Sequence, residues 1–203
     1  EEFTLRQFAQ FQAIIRDLGG ESRFKWRHLS NSAGLLGYQQ GCCNLSRPGL
    51  MLYGVSPLPG FQEKLGTVMS LKSRVTLVRT LPAGHEVSYG RQFVTTKPTR
   101  VATVGIGYGD GYPRALSSCG EVLIRGQRHP IVGRICMDQF MVDIGPQGTA
   151  YNEDAVVLIG RQGDAHISCE AVAEAAGTIP YEILTGLNDR IPREYRGGRA
   201  TRA

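Results

Sequence analysis

Short runs in which apolar and polar residues alternate make up most of the chain after residue 66, and glycines and prolines separate them about every ten residues. Such spacing is typical of a β-barrel or a β-sandwich. The pattern predicts strands over residues 68–77, 86–89, 99–106, 121–124, 130–132, 140–144, 155–159 and 190–195. It also predicts a helix over residues 168–176, with Ser168 as its N-cap and Gly177 as its end, and a shorter helix over 181–187. The second part of the chain is therefore expected to be a mostly β-stranded domain.

The first sixty residues have an α/β pattern instead. A helix that packs one apolar stripe into a core and ends at Gly19 and Gly20 is predicted from residues at helical spacing, namely Phe3, Phe8, Phe11, Ile14, Ile15 and Leu18. A short strand over 24–29 should lead into a small polar loop at 30–34 that opens another short helix, and the apolar run 50–53 predicts a fully buried parallel strand. We expect the end of an α/β unit over residues 1–62, a β domain over 63–198 and a tail over 199–203.

The composition narrows the class of protein. The chain has 203 residues, of which 41% are hydrophobic and 20% charged, as in an ordinary globular protein. The net charge of +5 is mild and no basic surface is interleaved with aromatic residues, which disfavours nucleic-acid binding. No apolar run reaches the length that a membrane helix needs, so no membrane association is expected. Five cysteines without CxxC spacing predict reduced, mostly buried thiols in a cytoplasmic protein, and four histidines without metal spacing predict no metal site.

Two stretches are unusual. Residues 105–114 read Gly-Ile-Gly-Tyr-Gly-Asp-Gly-Tyr-Pro-Arg, with glycines at every second position, which indicates a loop built to present Tyr108. The spacing is GxGxGxG and not the GxGxxG of dinucleotide-binding loops. Tyr108 is either an acid–base group, which would need help because a free phenol has a pKa of about 10, or a structural tyrosine. Residues 133–139 read Gly-Arg-Ile-Cys-Met-Asp-Gln, where Cys136 is interpreted as an inert buried thiol because no histidine lies near it in the sequence.

The loop at 30–34 and the segment at 47–50 suggest a second set of candidates. Small residues at a strand end before a helix favour an anion site, although N-capping by Asn31 or Ser32 is the simpler interpretation of the loop alone. Arg47 precedes the predicted strand at 50–53, and Gly49 would let the backbone approach a ligand closely.

The order of these motifs resembles that of alanine racemases. The similar residues are His28-Leu29-Ser30-Asn31-Ser32-Ala33, then Arg47-Pro48-Gly49-Leu50 with Leu52-Tyr53-Gly54, then Val87-Ser88-Tyr89-Gly90, and finally the stretches at 105–114 and 133–139. The resemblance covers nearly the whole chain. It implies the C-terminal portion of a (β/α)8 barrel that binds pyridoxal phosphate, followed by the complete β domain of that family.

The resemblance also implies roles for individual residues. Ser32, with the backbone of Gly49 and Leu50, would hold the cofactor phosphate, and Arg47 would face the pyridine nitrogen with His28 as its partner. Tyr108 would be the base on one face of the substrate, and the backbone N–H of Met137 would meet the substrate carboxylate. One departure lies at Leu187-Asn188-Asp189, where some members of the family have a phosphate-contacting tyrosine, so that contact is not carried over.

The implied activity is the interconversion of L- and D-alanine by two bases, which supplies D-alanine for peptidoglycan. The family's second base is the lysine that carries the cofactor, and none of Lys25, Lys64, Lys72 and Lys97 stands in a comparable context. We therefore expect a C-terminal fragment, or one piece of a nicked enzyme, that is inactive alone. Family members form head-to-tail homodimers in which the β domain of one subunit completes the other's active site. Two alternatives stay open: a racemase for serine or a broader set of amino acids, and a non-catalytic interaction module.

Overall fold

The structure is a computed structural model that describes residues 1–38 and 41–197. The chain forms two compact units, Glu1–Met69 and a second that begins at Ser70. The junction expected after residue 62 falls a few residues before this division, and the expected tail over 199–203 lies outside the described residues.

The first unit opens with helix α1, Glu2–Asp17, as predicted. The helix ends where Gly19 and Gly20 adopt positive φ angles of 103° and 87°, a conformation that glycine reaches without a steric penalty. The predicted core stripe is only partly correct: Ile15 is buried, whereas Phe3 and Ile14 are 63% and 54% exposed. Part of the predicted apolar stripe is therefore exposed in this unit.

Short helical turns make up the other regular elements of this unit. They are a 3-10 turn Glu21–Arg23, helix α2 Ser32–Gly37, and 3-10 turns Leu50–Tyr53 and Gln62–Lys64. The two predicted strands are therefore wrong. Residues 24–29 are not paired in a sheet within the described chain, and residues 50–53 form a 3-10 turn between Gly49 and the left-handed Gly54. A strand needs a neighbouring backbone to pair with, and an apolar run alone does not provide one.

The second unit is a closed antiparallel barrel. The sequence predicted a barrel or a sandwich, and the first of these is the one observed. Among its described residues the strands are β1 Leu71–Leu81, β2 Glu86–Val87, β3 Phe93–Val94, β4 Thr99–Val104, β5 Glu121–Ile124, β6 Gln127–Val132, β7 Phe140–Gly145, β8 Ala155–Gln162 and β9 Ala165–Ile167. The strands β1-β4-β7-β6-β5-β8 follow one another around the sheet, and β8 pairs with β1 to close it. Strand β9 adds to β8, and β2 and β3 form a separate hairpin.

Strand β1 closes the barrel because its two halves pair with different neighbours. Leu71 pairs with Ile159 of β8, while Val75 pairs with Val104 of β4 and a register shift follows Val75. Such irregularities bend a long strand and let a sheet close on itself. The interior is filled by fully buried apolar side chains, among them Val75, Val104, Val122, Phe140, Val142, Val156 and Leu158.

Two helices follow the barrel strands, as predicted. Helix α3 spans Cys169–Ala176; the Ser168 hydroxyl oxygen accepts a hydrogen bond from the Ala171 N–H at 3.1 Å, and Gly177 ends the helix at φ 71°. Helix α4 spans Pro180–Gly186. The strand predicted over 190–195 is wrong. Pro192 has no N–H to give to a sheet, and the Ile191 carbonyl accepts a hydrogen bond from the Arg193 guanidinium at 3.0 Å.

Two general properties can be read from the described residues. All five cysteines are free, with Cys42 and Cys169 buried, Cys119 exposed and Cys136 half-buried beside the cleft described below. Within residues 1–38 and 41–197 no helix is long and apolar enough to cross a membrane.

The buried Tyr112 gives a prediction for stability. Its side chain is 1% exposed and stacks on Phe140 with ring centroids 5.5 Å apart, and its hydroxyl has no hydrogen-bond partner among the described residues. An unpaired buried hydroxyl costs about 1–3 kcal/mol, so Tyr112→Phe should raise the free energy of unfolding by about 1 kcal/mol. Urea denaturation measures the change. Phe140→Leu, which loses the stack but no polar group, should lower stability instead; a loss of stability in Tyr112→Phe would show that the hydroxyl is paired.

Candidate active site

A 3-10 turn directly after β4 carries Tyr108. The turn spans Tyr108–Asp110 and is held at both ends: the Asp110 carboxylate accepts a hydrogen bond from the Gly107 N–H at 3.0 Å, and the Gly111 N–H donates to the Tyr108 carbonyl at 3.1 Å. The Tyr108 side chain is 43% exposed. The turn therefore fixes the backbone beneath a phenol that remains accessible.

The loop between β6 and β7 is bound directly to this turn. The Tyr108 N–H donates to the Cys136 carbonyl at 3.0 Å, and the Gly109 N–H donates to the Met137 carbonyl at 2.8 Å. A Cβ atom on Gly107 would lie 2.2 Å from the Cys136 carbonyl oxygen, and one on Gly109 would lie 2.9 Å from that of Met137. Glycine is needed at both positions because two backbone segments meet there without space for a side chain.

Together the turn and the loop border an open cleft of about 690 Å³. Its lining combines aromatic, cationic and amide groups: Tyr89, Tyr108, Arg114, Arg134, Ile135, Cys136, Met137, Asp138 and Gln139. Met137 is 53% exposed, and within the described parts of the chain its backbone N–H has no hydrogen-bond acceptor. A free N–H in a cleft that two arginines also line suits a carboxylate ligand.

A third segment, residues 87–91, supports the same loop. The Ser88 hydroxyl donates to the Arg134 carbonyl at 2.7 Å, and a Cβ on Gly133 would lie 2.7 Å from the Ser88 Cβ. Ser88 itself adopts a positive φ of 68°, which is uncommon for a residue other than glycine. The sequence singled out residues 87–90 and 133–139 but gave no role to Tyr89 or Arg134. The positive φ of Ser88, which shapes this segment, has no local sequence signal.

In the first unit, Ser32 lies beside the backbone of the segment at 49–51. The Ser32 hydroxyl oxygen accepts hydrogen bonds from the Gly49 N–H at 3.0 Å and from the Met51 N–H at 3.5 Å. Asn31 caps helix α2 through its side-chain oxygen, which the Gly34 N–H reaches at 3.0 Å. The structure thus assigns the cap to Asn31. As Ser32 acts only as an acceptor in these contacts, its O–H remains available to a ligand.

Arg47 and His28 form the other pair in this unit. One guanidinium nitrogen of Arg47 bonds Nδ1 of His28, and the second donates to the Leu29 carbonyl at 3.1 Å. Because a guanidinium can only donate, His28 Nδ1 must be the unprotonated nitrogen of the ring. The predicted residues thus form two groups: His28, Ser32, Arg47, Gly49 and Leu50 in the first unit, and Tyr108 and Met137 in the second.

Comparison with known proteins gives the family. The family described as "Alanine racemase, C-terminal domain" matches residues 68–195, and "Alanine racemase, N-terminal domain" matches residues 1–57. The chain is 39% identical to the alanine racemase of Halothermothrix orenii over 97% of its own length and 52% of the relative's. It spans about half the length of the curated relatives it matches.

Similar solved structures come from the same family. The alanine racemase of a D-cycloserine-producing Streptomyces lavendulae is 40% identical, with a TM-score of 0.87 over 96% of this chain and 51% of that one. The alanine racemase of Bartonella henselae with covalently bound pyridoxal phosphate is 35% identical, with a TM-score of 0.83 over 96% and 52%. The second unit, an antiparallel barrel with a glycine-rich turn that carries a tyrosine, thus belongs to the class of alanine racemase C-terminal domains. The chain belongs to the alanine racemase family.

The glycines of the tyrosine turn give the second prediction. Gly107→Ala would force the turn away from the Cys136 carbonyl, and overpacking of this kind costs about 1–3 kcal/mol. Gly186→Ala is the matched control, since its Cβ would meet its nearest atom at an ordinary 3.6 Å. Urea denaturation of the two variants should show a clear loss of stability for Gly107→Ala only. Equal stability of the two would contradict the close approach described here.

Proposed function

We propose that the chain supplies one base and the cofactor-holding groups of an alanine racemase, a cytoplasmic enzyme that interconverts L- and D-alanine and so provides D-alanine for peptidoglycan. The observation that carries the proposal is the accessible Tyr108 on a turn hydrogen-bonded to the loop of Met137. Membership of the alanine racemase family over 97% of the chain supports it.

Three features of the first unit fit pyridoxal phosphate. The Ser32 hydroxyl keeps its proton available for a phosphate oxygen. The space beside Gly49 is open, since a Cβ there would meet no atom within 4 Å, so a ligand can approach the backbone. The buried Leu50 follows at once and anchors that backbone. Bound pyridoxal phosphate acts as an electron sink that acidifies the substrate α-proton.

Arg47 would face the pyridine nitrogen of the cofactor. A guanidinium donates hydrogen bonds and is never deprotonated in proteins, so Arg47 would keep that nitrogen unprotonated and would disfavour side reactions such as transamination. His28 and the Leu29 carbonyl hold the guanidinium in place, which supports this role for Arg47.

Racemisation removes a proton from one face of the α-carbon and returns one to the other. In the proposal Tyr108 is the base on one face, and the Met137 N–H orients the substrate carboxylate, with Arg134 in the same cleft. The second base is a lysine outside these 203 residues. We further propose a homodimer in which Tyr108 and Met137, both about half exposed, complete the partner's site.

The test uses a hybrid racemase, in which this chain replaces the matching part of the Halothermothrix orenii alanine racemase. The hybrid should racemise L-alanine with added pyridoxal phosphate, and Tyr108→Phe should lower kcat about 10²- to 10⁴-fold because a general base is lost. Tyr151→Phe, on the exposed ring that contacts Arg125, is the control and should leave kcat unchanged. Retention of activity in Tyr108→Phe would refute the catalytic role. Faster turnover of L-serine would favour the broader racemase, and cofactor binding without turnover would favour a non-catalytic module.

Mixing of subunits tests the shared site. Hybrid dimers that carry Tyr108→Phe have one defect, and dimers that lack the cofactor lysine have another. Denatured together and refolded, the two should form mixed dimers in which one of the two sites is intact, so activity should return to about a quarter of the unmutated level by random pairing. The unmixed variants are the controls. No recovery, with mixed dimers shown by native mass spectrometry, would contradict a site built from two subunits.

A further inference from the structure

The segment that follows helix α4 folds back on the turn of Tyr108. The Asn188 N–H donates to the Asp110 carbonyl at 3.2 Å, and the Asn188 side-chain amide donates to the Gly109 carbonyl. The Asn188 side-chain oxygen also accepts a hydrogen bond from the Arg190 N–H at 2.8 Å. These contacts place the Arg190 side chain between the turn of Tyr108 and the loop of Met137.

Arg190 bridges the two segments with its guanidinium. One nitrogen donates to the Asp138 carboxylate at 2.8 Å, next to Met137, and Nε lies 3.5 Å from Oδ1 of Asp110. The other carboxylate oxygen of Asp110 accepts the Gly107 N–H that starts the tyrosine turn. The rigid, planar guanidinium is well suited to hold two carboxylates at a fixed separation.

The exposure of the Arg190–Asp138 ion pair argues against a role in overall stability. The side chains of Arg190 and Asp138 are 55% and 61% exposed, and ion pairs in such surroundings contribute little to folding. Asp110, by contrast, is 16% exposed and is committed to the turn. The bridge therefore links a largely buried carboxylate in the turn of Tyr108 to an exposed one beside Met137, and so ties the turn to the loop.

We propose that Arg190 is a positioning residue that fixes Tyr108 relative to the Met137 backbone, so that the base and the carboxylate-binding N–H reach one substrate at the same time. The inference rests on the proposed function. It assigns to Arg190 no contact with substrate or cofactor; its effect passes through Asp110 and Asp138.

The test measures exchange of the alanine α-proton with deuterated water, by NMR, in the hybrid racemase. Tyr108→Phe identifies the enantiomer whose proton Tyr108 removes, since exchange from that enantiomer should fall most. Arg190→Gln should show the same selective loss, about 10- to 100-fold, because a misplacement of about 1 Å has effects of this size. Arg190→Lys keeps the charge but not the planar fork and should recover part of the rate. Equal losses for both enantiomers would show that Arg190 does not act through Tyr108 and would overturn the proposal.

Arg193→Gln is the matched control. Its guanidinium binds the carbonyls of Leu187, Asn188 and Ile191 in the same segment, and none of its described contacts reaches the turn or the loop. It should leave the ratio of the two exchange rates unchanged. The same selective loss in Arg193→Gln would show that the segment matters and that the bridge does not, which would also overturn the proposal.

A second readout is independent of catalysis. In the hybrid with 13C-methyl methionine, the order parameter of the Met137 methyl should fall in Arg190→Gln, while that of Met141 in strand β7 should not. Unchanged Met137 dynamics would count against the bridge even if the hybrid were inactive. If the unmutated hybrid exchanges neither enantiomer while Met137 responds as expected, the proposed function fails and the bridge stands.

Discussion

Two backbone hydrogen bonds, from Tyr108 to the Cys136 carbonyl and from Gly109 to the Met137 carbonyl, hold the candidate site of the second unit together. They form because β4 and β7 are neighbours in the barrel, with Val104 paired to Phe140 at the end where the chain leaves β4 towards the turn and where the loop of Met137 enters β7. The barrel register thus delivers the turn and the loop to the same place. A slip of one residue would reverse the faces of β4 and separate the two carbonyl acceptors from their donors.

Local signals were sufficient to predict most of the barrel, because its strands alternate and its turns carry glycine. Helix α3 was predicted from its cap and its terminal glycine for the same reason. The predictions for 24–29, 50–53 and 190–195 were wrong where the outcome depends on a partner. An apolar run becomes a strand only beside another strand, and residues 50–53 have instead a glycine at each end that turns the chain.

The sequence predicted a loop that presents Tyr108 but not the contacts that require its glycines. Alternate glycines at 105–111 suggested a loop that presents Tyr108, yet the reason for each glycine is a distant carbonyl: a Cβ on Gly107 meets Cys136 and one on Gly111 meets Gly186. Arg190 and Asp138 are 52 residues apart in the chain, and no pattern of spacing connects them. Contacts of this range depend on the closed barrel and cannot be read from a local stretch.

The residues of the candidate site are exposed, and this explains why backbone hydrogen bonds and ion pairs fix their positions instead of side-chain packing. A buried side chain is held by its neighbours, but an exposed side chain such as that of the proposed base has few packing contacts of its own. Tyr108 and Met137 are both about half exposed, so contacts of the backbone segments that carry them must fix their positions. Glycine permits the close backbone contact, Asp110 closes the turn, and Arg190 ties that turn to the loop. Arg47 follows the same rule in the first unit, where His28 and a carbonyl hold an exposed guanidinium in place.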